Sequence, residues 1–175
     1  NVIRYLSSSS SLLVGTSGGE FAVRSSGSDA PLSPTSAQIK RQAYYGTSNV
    51  EPLQIGNVTL FVQRARRKVR ELVYSFDTDS YTAPDLTIMA EHITSSGIKA
   101  MAHAQEPDNT LWCVLNNGKL ACMTYRREEN IVAWHEHTLG GSWIDTSVSP
   151  NITYPYGVVE SIATLPGELD EDDIY

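Results

Sequence analysis

Residues 109–141 read NTLWCVLNNGKLACMTYRREENIVAWHEHTLGG. Asn117-Gly118 is the dipeptide favoured by a two-residue type I′ turn, because both central positions of that turn need positive φ. A turn centred there pairs Asn116 with Lys119 and sets Cys113 opposite Cys122. The flanks, Leu111–Leu115 and Leu120–Tyr125, are apolar or aromatic on both faces except at Thr124, the pattern of strands covered on both sides. The polar run RREEN (126–130) then reverses the chain, and Ile131–Thr138 reads as a third strand. Upstream, IKAMAHA (98–104) is separated from Thr110 by QEPDN, whose Pro, Asp and Asn are turn formers. Four consecutive antiparallel strands are expected.

The same plan recurs along the chain. VIRYL then LLVGT, PLQI then TLFVQ, IKAMAHA then TLWCVL, and VESIAT then DIY each place one strand after another across a short polar gap. Steps between comparable strands, Ile3 to Ile55 to Met101 to Ile162, are 52, 46 and 61 residues, near the ~40–50-residue period of propeller blades. Ser17-Gly18-Gly19 before EFAVR, and RARRK before VRELVYSF, supply further turns. The expected fold is all-β: a propeller-like array of about three and a half small antiparallel sheets. Its units are approximately 1–30, 50–93, 97–141 and an incomplete 156–175, with turn-rich linkers at 25–36 and 77–85. Only Leu86–His92 reads as a short helix or helical turn, with Asp85 as its N-cap. The alternative is a β-sandwich, which also uses short strands with a turn every ~8–12 residues.

Composition sets the limits on function. The 175 residues are 41% hydrophobic and 19% charged, enough apolar material for a real core. A net charge of -7 argues against nonspecific adhesion to nucleic acid or anionic membrane over the whole surface, but leaves room for a local basic patch. No apolar run approaches the ~20 residues of a membrane helix, so no membrane anchor is expected. The chain starts at Asn1 rather than Met and ends in DEDDIY as an apolar segment begins, so it is expected to be a piece of a longer polypeptide.

The strongest charge feature is RARRKVR (64–70), with Arg64, Arg66, Arg67, Lys68 and Arg70. It reads either as a phosphate-facing loop or subunit anchor, or as a solvated hairpin turn of the kind that blunts sheet edges. Its acidic counterpart is GELDEDD (167–173), with Glu168, Asp170, Glu171, Asp172 and Asp173. The two segments could dock on each other between subunits.

Candidate chemistry is thin. His135 and His137 share one face of a strand and could hold zinc given a third ligand such as His103, but structural zinc sites take four Cys or His ligands. No metal and no cofactor is expected. Asp77 and Asp79 start like a calcium loop without the glycine and terminal glutamate that motif requires. There is no Gly-rich phosphate loop, no G-x-S-x-G elbow and no Cys-based zinc signature, so no enzyme is expected.

The run PLSPTSAQIKRQAYYGTSNVEPLQIGNVTLFVQRARRKVRELVYSFDTDSYTAPDLTIMAEHI (31–93), followed by the stretch at 109–141 and VVESIATLPGELDEDDIY (158–175), resembles tail nozzle proteins of short-tailed bacteriophages, the tail tubular protein B type. The resemblance covers roughly residues 25–175. It lies in YGTSNVEPL, LFVQRARRKVREL, PDLTIMAEHI, LWCVLNNGKL and VAWHEHTLGG taken in order. It implies a propeller-containing subunit of a homohexameric ring, made in the host cytoplasm and placed in the virion tail. Such a ring is mounted below adaptor and portal proteins, and DNA passes through it without sequence specificity. Members are far longer than this chain, and the resemblance implies no catalytic residues. In that reducing compartment Cys113 and Cys122 are expected as free thiols, although the expected register sets their Cα atoms ~4.5 Å apart, at the short end of disulfide separations. Two other function classes stand behind this one: a propeller adaptor that binds a protein through its loops and, last, a glycan-acting hydrolase.

Overall fold

The computed structural model describes residues 1–27, 30–168 and 170–175. The part of the 25–36 linker at 28–29 therefore lies outside the described residues. The chain forms two compact units, Asn1–Leu86 and Thr87–Tyr175.

The first unit holds two four-stranded antiparallel sheets, each a plain meander. In the first sheet β1 (Ile3–Ser8), β2 (Leu12–Thr16), β3 (Gly19–Ser25) and β4 (Ala37–Ala43) lie side by side in chain order. The second repeats this with β5 (Leu53–Ile55), β6 (Val58–Val62), β7 (Val69–Ser75) and β8 (Ser80–Thr82). β4 follows the first linker, and β8 lies inside the 77–85 stretch read as a spacer. Among the described residues no strand leaves its sheet for another, unlike the Greek-key connections of a sandwich.

A shared core joins the two sheets: Tyr5, Leu13, Ala22 and Ala43 of the first meet Phe61, Leu72, Tyr81 and Ala83 of the second. β6 buries all five of its side chains, as a strand apolar on both faces must. Side chains also link strands of the two sheets. Ser7 Oγ of β1 lies 3.1 Å from Thr59 Oγ1 of β6, and the Tyr81 N–H of β8 donates to Gln42 Oε1 of β4 at 3.0 Å. Across the first sheet, Tyr5, Gly15 and Glu20 occupy one row of the ladder. A Cβ at Gly15 would overlap the Tyr5 ring, so glycine is what lets the ring lie flat on β2.

In the second unit, Thr94–Ser96 forms a single 3-10 turn ahead of β9 (Ile98–Ala104). Residues 86–93 turn through Ala90 N–H to Thr87 O and Ile93 N–H to Ala90 O without making a helix. β9, β10 (Thr110–Leu115), β11 (Leu120–Arg126) and β12 (Ile131–His137) form the expected four-stranded meander. Two hairpins follow: β13 (Trp143–Asp145) with β14 (Ile152–Tyr154), and β15 (Thr164–Pro166) with β16 (Asp172–Ile174). The last hairpin lies beside β9, where the Thr164 hydroxyl donates to His103 O at 2.8 Å. The all-β architecture of several small antiparallel sheets is thus as the sequence indicates.

The register of the β10–β11 hairpin is one residue away from expectation. Trp112 faces Cys122 and Cys113 faces Ala121. Leu115 donates to Lys119 O at 3.0 Å and accepts from Gly118 N–H at 2.9 Å, so three residues, Asn116 to Gly118, make the turn. Gly118 takes φ 82 at its last position, the arrangement of a turn closed by a left-handed residue. The reason is tertiary. Val158 packs where a Gly118 Cβ would stand, Val159 N–H donates to Gly118 O at 2.8 Å, and Tyr156 hydroxyl donates to Asn117 O at 3.2 Å. The loop is shaped by what docks on it, and the one-residue slip exchanges the faces of every side chain beyond it.

Candidate functional site

Four of the five predicted basic residues gather at the β6–β7 turn. Arg64 and Arg67 are exposed, and Arg66 and Lys68 are half-buried. Arg66, held at φ 63, donates to Asn49 Oδ1, and Lys68 forms an ion pair with Asp85 at 2.8 Å. Asp85, expected as a helix cap, lies instead in a bridge to Arg70 with its carboxylate on Lys68.

Arg70 does not belong to this surface. It is 9% exposed and points into the first unit, where Nε donates to Gln63 Oε1 at 2.7 Å and Nη1 to Ala83 O at 2.6 Å. Its guanidinium lies 3.5 Å from the centre of the Tyr45 ring. Strand alternation explains the split, since a side chain of β7 must face one side of the sheet or the other while the turn residues project from its end.

Beyond Arg70 lies Glu20, fully buried, whose Oε1 accepts from the Thr47 hydroxyl at 3.0 Å. Burial pushes its pKa above the ordinary carboxylate value. The Thr47 hydroxyl, backbone N–H groups at Tyr45 and Glu20, and the charge of Arg70 pull it back down. Oε2 of Glu20 and the Tyr5 hydroxyl are both buried without a hydrogen-bond partner. The Tyr5 phenol is pushed up by its burial and further by the Glu20 carboxylate. These groups form a polar island between two apolar sheets.

Three chain segments converge at this end of the unit. Thr47 N–H donates to Thr16 O at 2.8 Å, and Arg64 N–H to Gly46 O at 2.9 Å. Gly46 at φ 72 has no room for a Cβ, which would strike Ser17 O and stand 3.6 Å from Arg64 Cβ. Around this junction stand Arg41, Tyr44 and Tyr45, which the sequence reading did not single out. Tyr44 is 76% exposed and Tyr45 42%. The Arg41 guanidinium lies 4.9 Å from the Tyr44 ring centre and 5.0 Å from that of Phe21. The available signal was the pair of adjacent tyrosines ahead of a glycine in a basic neighbourhood, KRQAYYG.

The acidic segment divides as well. Glu168, Asp170, Glu171 and Asp173 are exposed. Asp172 is engaged within its own unit, its Oδ2 accepting from Gln105 N–H and, at 3.1 Å, from Glu106 N–H, so it ties β16 to the β9–β10 turn. Tyr175 hydroxyl donates to Asp173 Oδ2 at 3.4 Å.

The histidines do not assemble as a trio. His135 and His137 share a face with Trp112, their ring centres 4.7 Å apart. The register places His103 opposite Leu111 and therefore on the other face, where its Nε2 meets Asn109 Oδ1 at 2.6 Å. Trp134 is half-buried on β12, a strand without a fully buried residue. Cys113 and Cys122 are both buried free thiols. They occupy opposite faces of the sheet because Cys122 pairs with Trp112, the chain neighbour of Cys113. Burial raises both, Cys122 to about 11.

Along the outer edge of β1, unpaired among the described residues, runs a groove of about 530 Å³ walled by Arg4–Ser8 and by Asn49, Glu51, Pro52 and Gln54. Compared with known proteins, the chain matches no family model and no curated protein.

Proposed function

We propose that the chain is part of a structural virion protein, a subunit of a bacteriophage tail nozzle through which DNA leaves the capsid, with a mechanical rather than catalytic role. One observation carries the reading: the ordered motifs of the resemblance fall on successive structural joints. YGTSNVEPL links the first sheet to the second, LFVQRARRKVREL is the β6–β7 hairpin, LWCVLNNGKL is the β10–β11 hairpin, and VAWHEHTLGG is β12 with the chain leaving it. Meanders with strands as fully buried as β6 suit a stiff wall. Hairpin turns that project from the sheets, such as Arg64–Lys68, suit contacts with a neighbouring subunit or with passing phosphates. Electron microscopy of the full-length gene product tests the proposal: rings with a central hole support it, and isolated monomers at high concentration overturn it.

A protein-binding adaptor is the second reading. The groove beside the free edge of β1 favours it, since an extended peptide can add to such an edge. The complete reading frame separates the two: a nozzle subunit is a chain several times longer, encoded beside portal-adaptor genes.

A further inference from the structure

We propose that the end of the first unit formed by Arg41, Tyr44, Tyr45 and the Arg64–Arg67 turn is a binding surface for single-stranded nucleic acid. The inference goes beyond the nozzle reading and does not rest on it.

Three observations converge. The first is charge. Arg41 and Arg64 are exposed and Arg66 half-exposed around one junction, and Arg70 faces inward. The concentration of guanidinium groups is local in a chain whose net charge is -7. The second is the pair of aromatic rings. Tyr44, at 76% exposure, is the more open of the two, and its neighbour Tyr45 also reaches the surface. Each carries a guanidinium close to its ring, Arg41 at 4.9 Å from the Tyr44 centre and Arg70 at 3.5 Å from that of Tyr45. A cation held on one face of a ring fixes the ring's orientation and leaves the opposite face for a flat partner. The third is the backbone that gathers these side chains. At Gly19 a Cβ would stand 3.6 Å from both Arg41 Nε and Tyr44 Cα, and at Gly46 it would stand 3.6 Å from Arg64 Cβ. Both glycines have positive φ, 155 and 72. The close approach of the β2–β3 turn, the 43–46 segment and the β6–β7 turn is therefore built into positions that favour glycine.

Arginines for phosphates with solvent-facing rings for bases is the combination that binds single strands without regard to sequence. A duplex offers the same phosphates but keeps its bases stacked inside, so the tyrosines distinguish the two forms. A polyanion without bases, such as heparin, engages the arginines alone.

The test is fluorescence anisotropy of a labelled oligothymidylate titrated with the 175-residue chain at low salt, with a duplex and heparin as competitors. The inference expects saturable binding with the single strand preferred to both competitors. Tyr44→Ala weakens it about tenfold, since each stacked base contributes roughly 1–3 kcal/mol, and Tyr44→Phe retains it. Arg64→Ala reduces the slope of log affinity against log salt by about 0.7. All these side chains are exposed, and unchanged thermal melts confirm folding of the variants. Absence of saturable binding overturns the inference. So does wild-type affinity in Tyr44→Ala, or a duplex or heparin that competes as well as the single strand. Full-length rings that fail to bind the oligonucleotide would remove this inference and leave the nozzle reading standing.

Discussion

The two units use the same strand-turn-strand grammar around different interiors. In the first, a carboxyl group, a guanidinium, a phenol and two amide or hydroxyl partners lie among the apolar side chains of two sheets. In the second, the four-stranded sheet buries Leu111, Cys113, Val114, Leu115, Met123 and Tyr125 without a buried charge among the described residues. Charges are costly to desolvate and are retained only with partners. The first unit therefore has a geometry fixed by directional bonds, whereas the second depends on the fit of apolar volume.

Truncation experiments break this contrast first. Phe61→Ala removes the largest fully buried side chain and is expected to lower stability by about 3–5 kcal/mol, measured by urea denaturation. Arg70→Ala removes two hydrogen bonds of a charged donor and the stack on Tyr45. About 2–3 kcal/mol is expected on the same assay. In the second unit Gly118→Ala forces a side chain into φ 82 and against Val158. A loss of about 1–3 kcal/mol is expected, with the 156–159 segment released to faster amide exchange.

Glu20 sharpens the comparison through pH. Its folded pKa is raised above the ordinary carboxylate value by burial, so the folded state binds the proton more tightly than the unfolded chain does. The stability this contributes is complete below the unfolded-chain value and is lost as pH rises through the folded one. Glu20→Gln, which stays uncharged, is expected to flatten that decline in urea midpoints taken across acidic to neutral pH. A decline of equal depth in the variant would assign it to other groups. Asp108→Asn has the smallest expected effect, under about 1 kcal/mol, because its pair with Arg126 lies at the surface.

Much of the fold is legible in the sequence. IKAMAHA is β9 to the residue, and the strand-turn-strand pattern of 98–137 is correct because apolar runs bounded by Pro, Asn, Gly and charged turns leave little choice. β4 escaped because AQIKRQA is an exposed outer strand with no apolar stripe, and β8 because only Tyr81 of its three residues is buried. The hairpin register escaped for a different reason: Asn-Gly specifies a tight turn locally, and Val158 and Val159 decide which one. At the candidate site, the basic run was visible as charge. The departure of Arg70 from it was not, because charge alone does not tell which face of β7 a residue occupies. Tyr44 and Tyr45 acquire meaning only when Gly46 brings the neighbouring hairpin alongside.

The flat seat of Tyr5 on Gly15 makes positions 5 and 15 compete for one volume. Any side chain gained at 15 must be matched by a smaller one at 5, so the two sites form a single locus under selection and substitutions at them should be inherited together. A drifting lineage can exchange the ring for bulk on β2, but it then also leaves the Glu20 carboxyl without its aromatic neighbour.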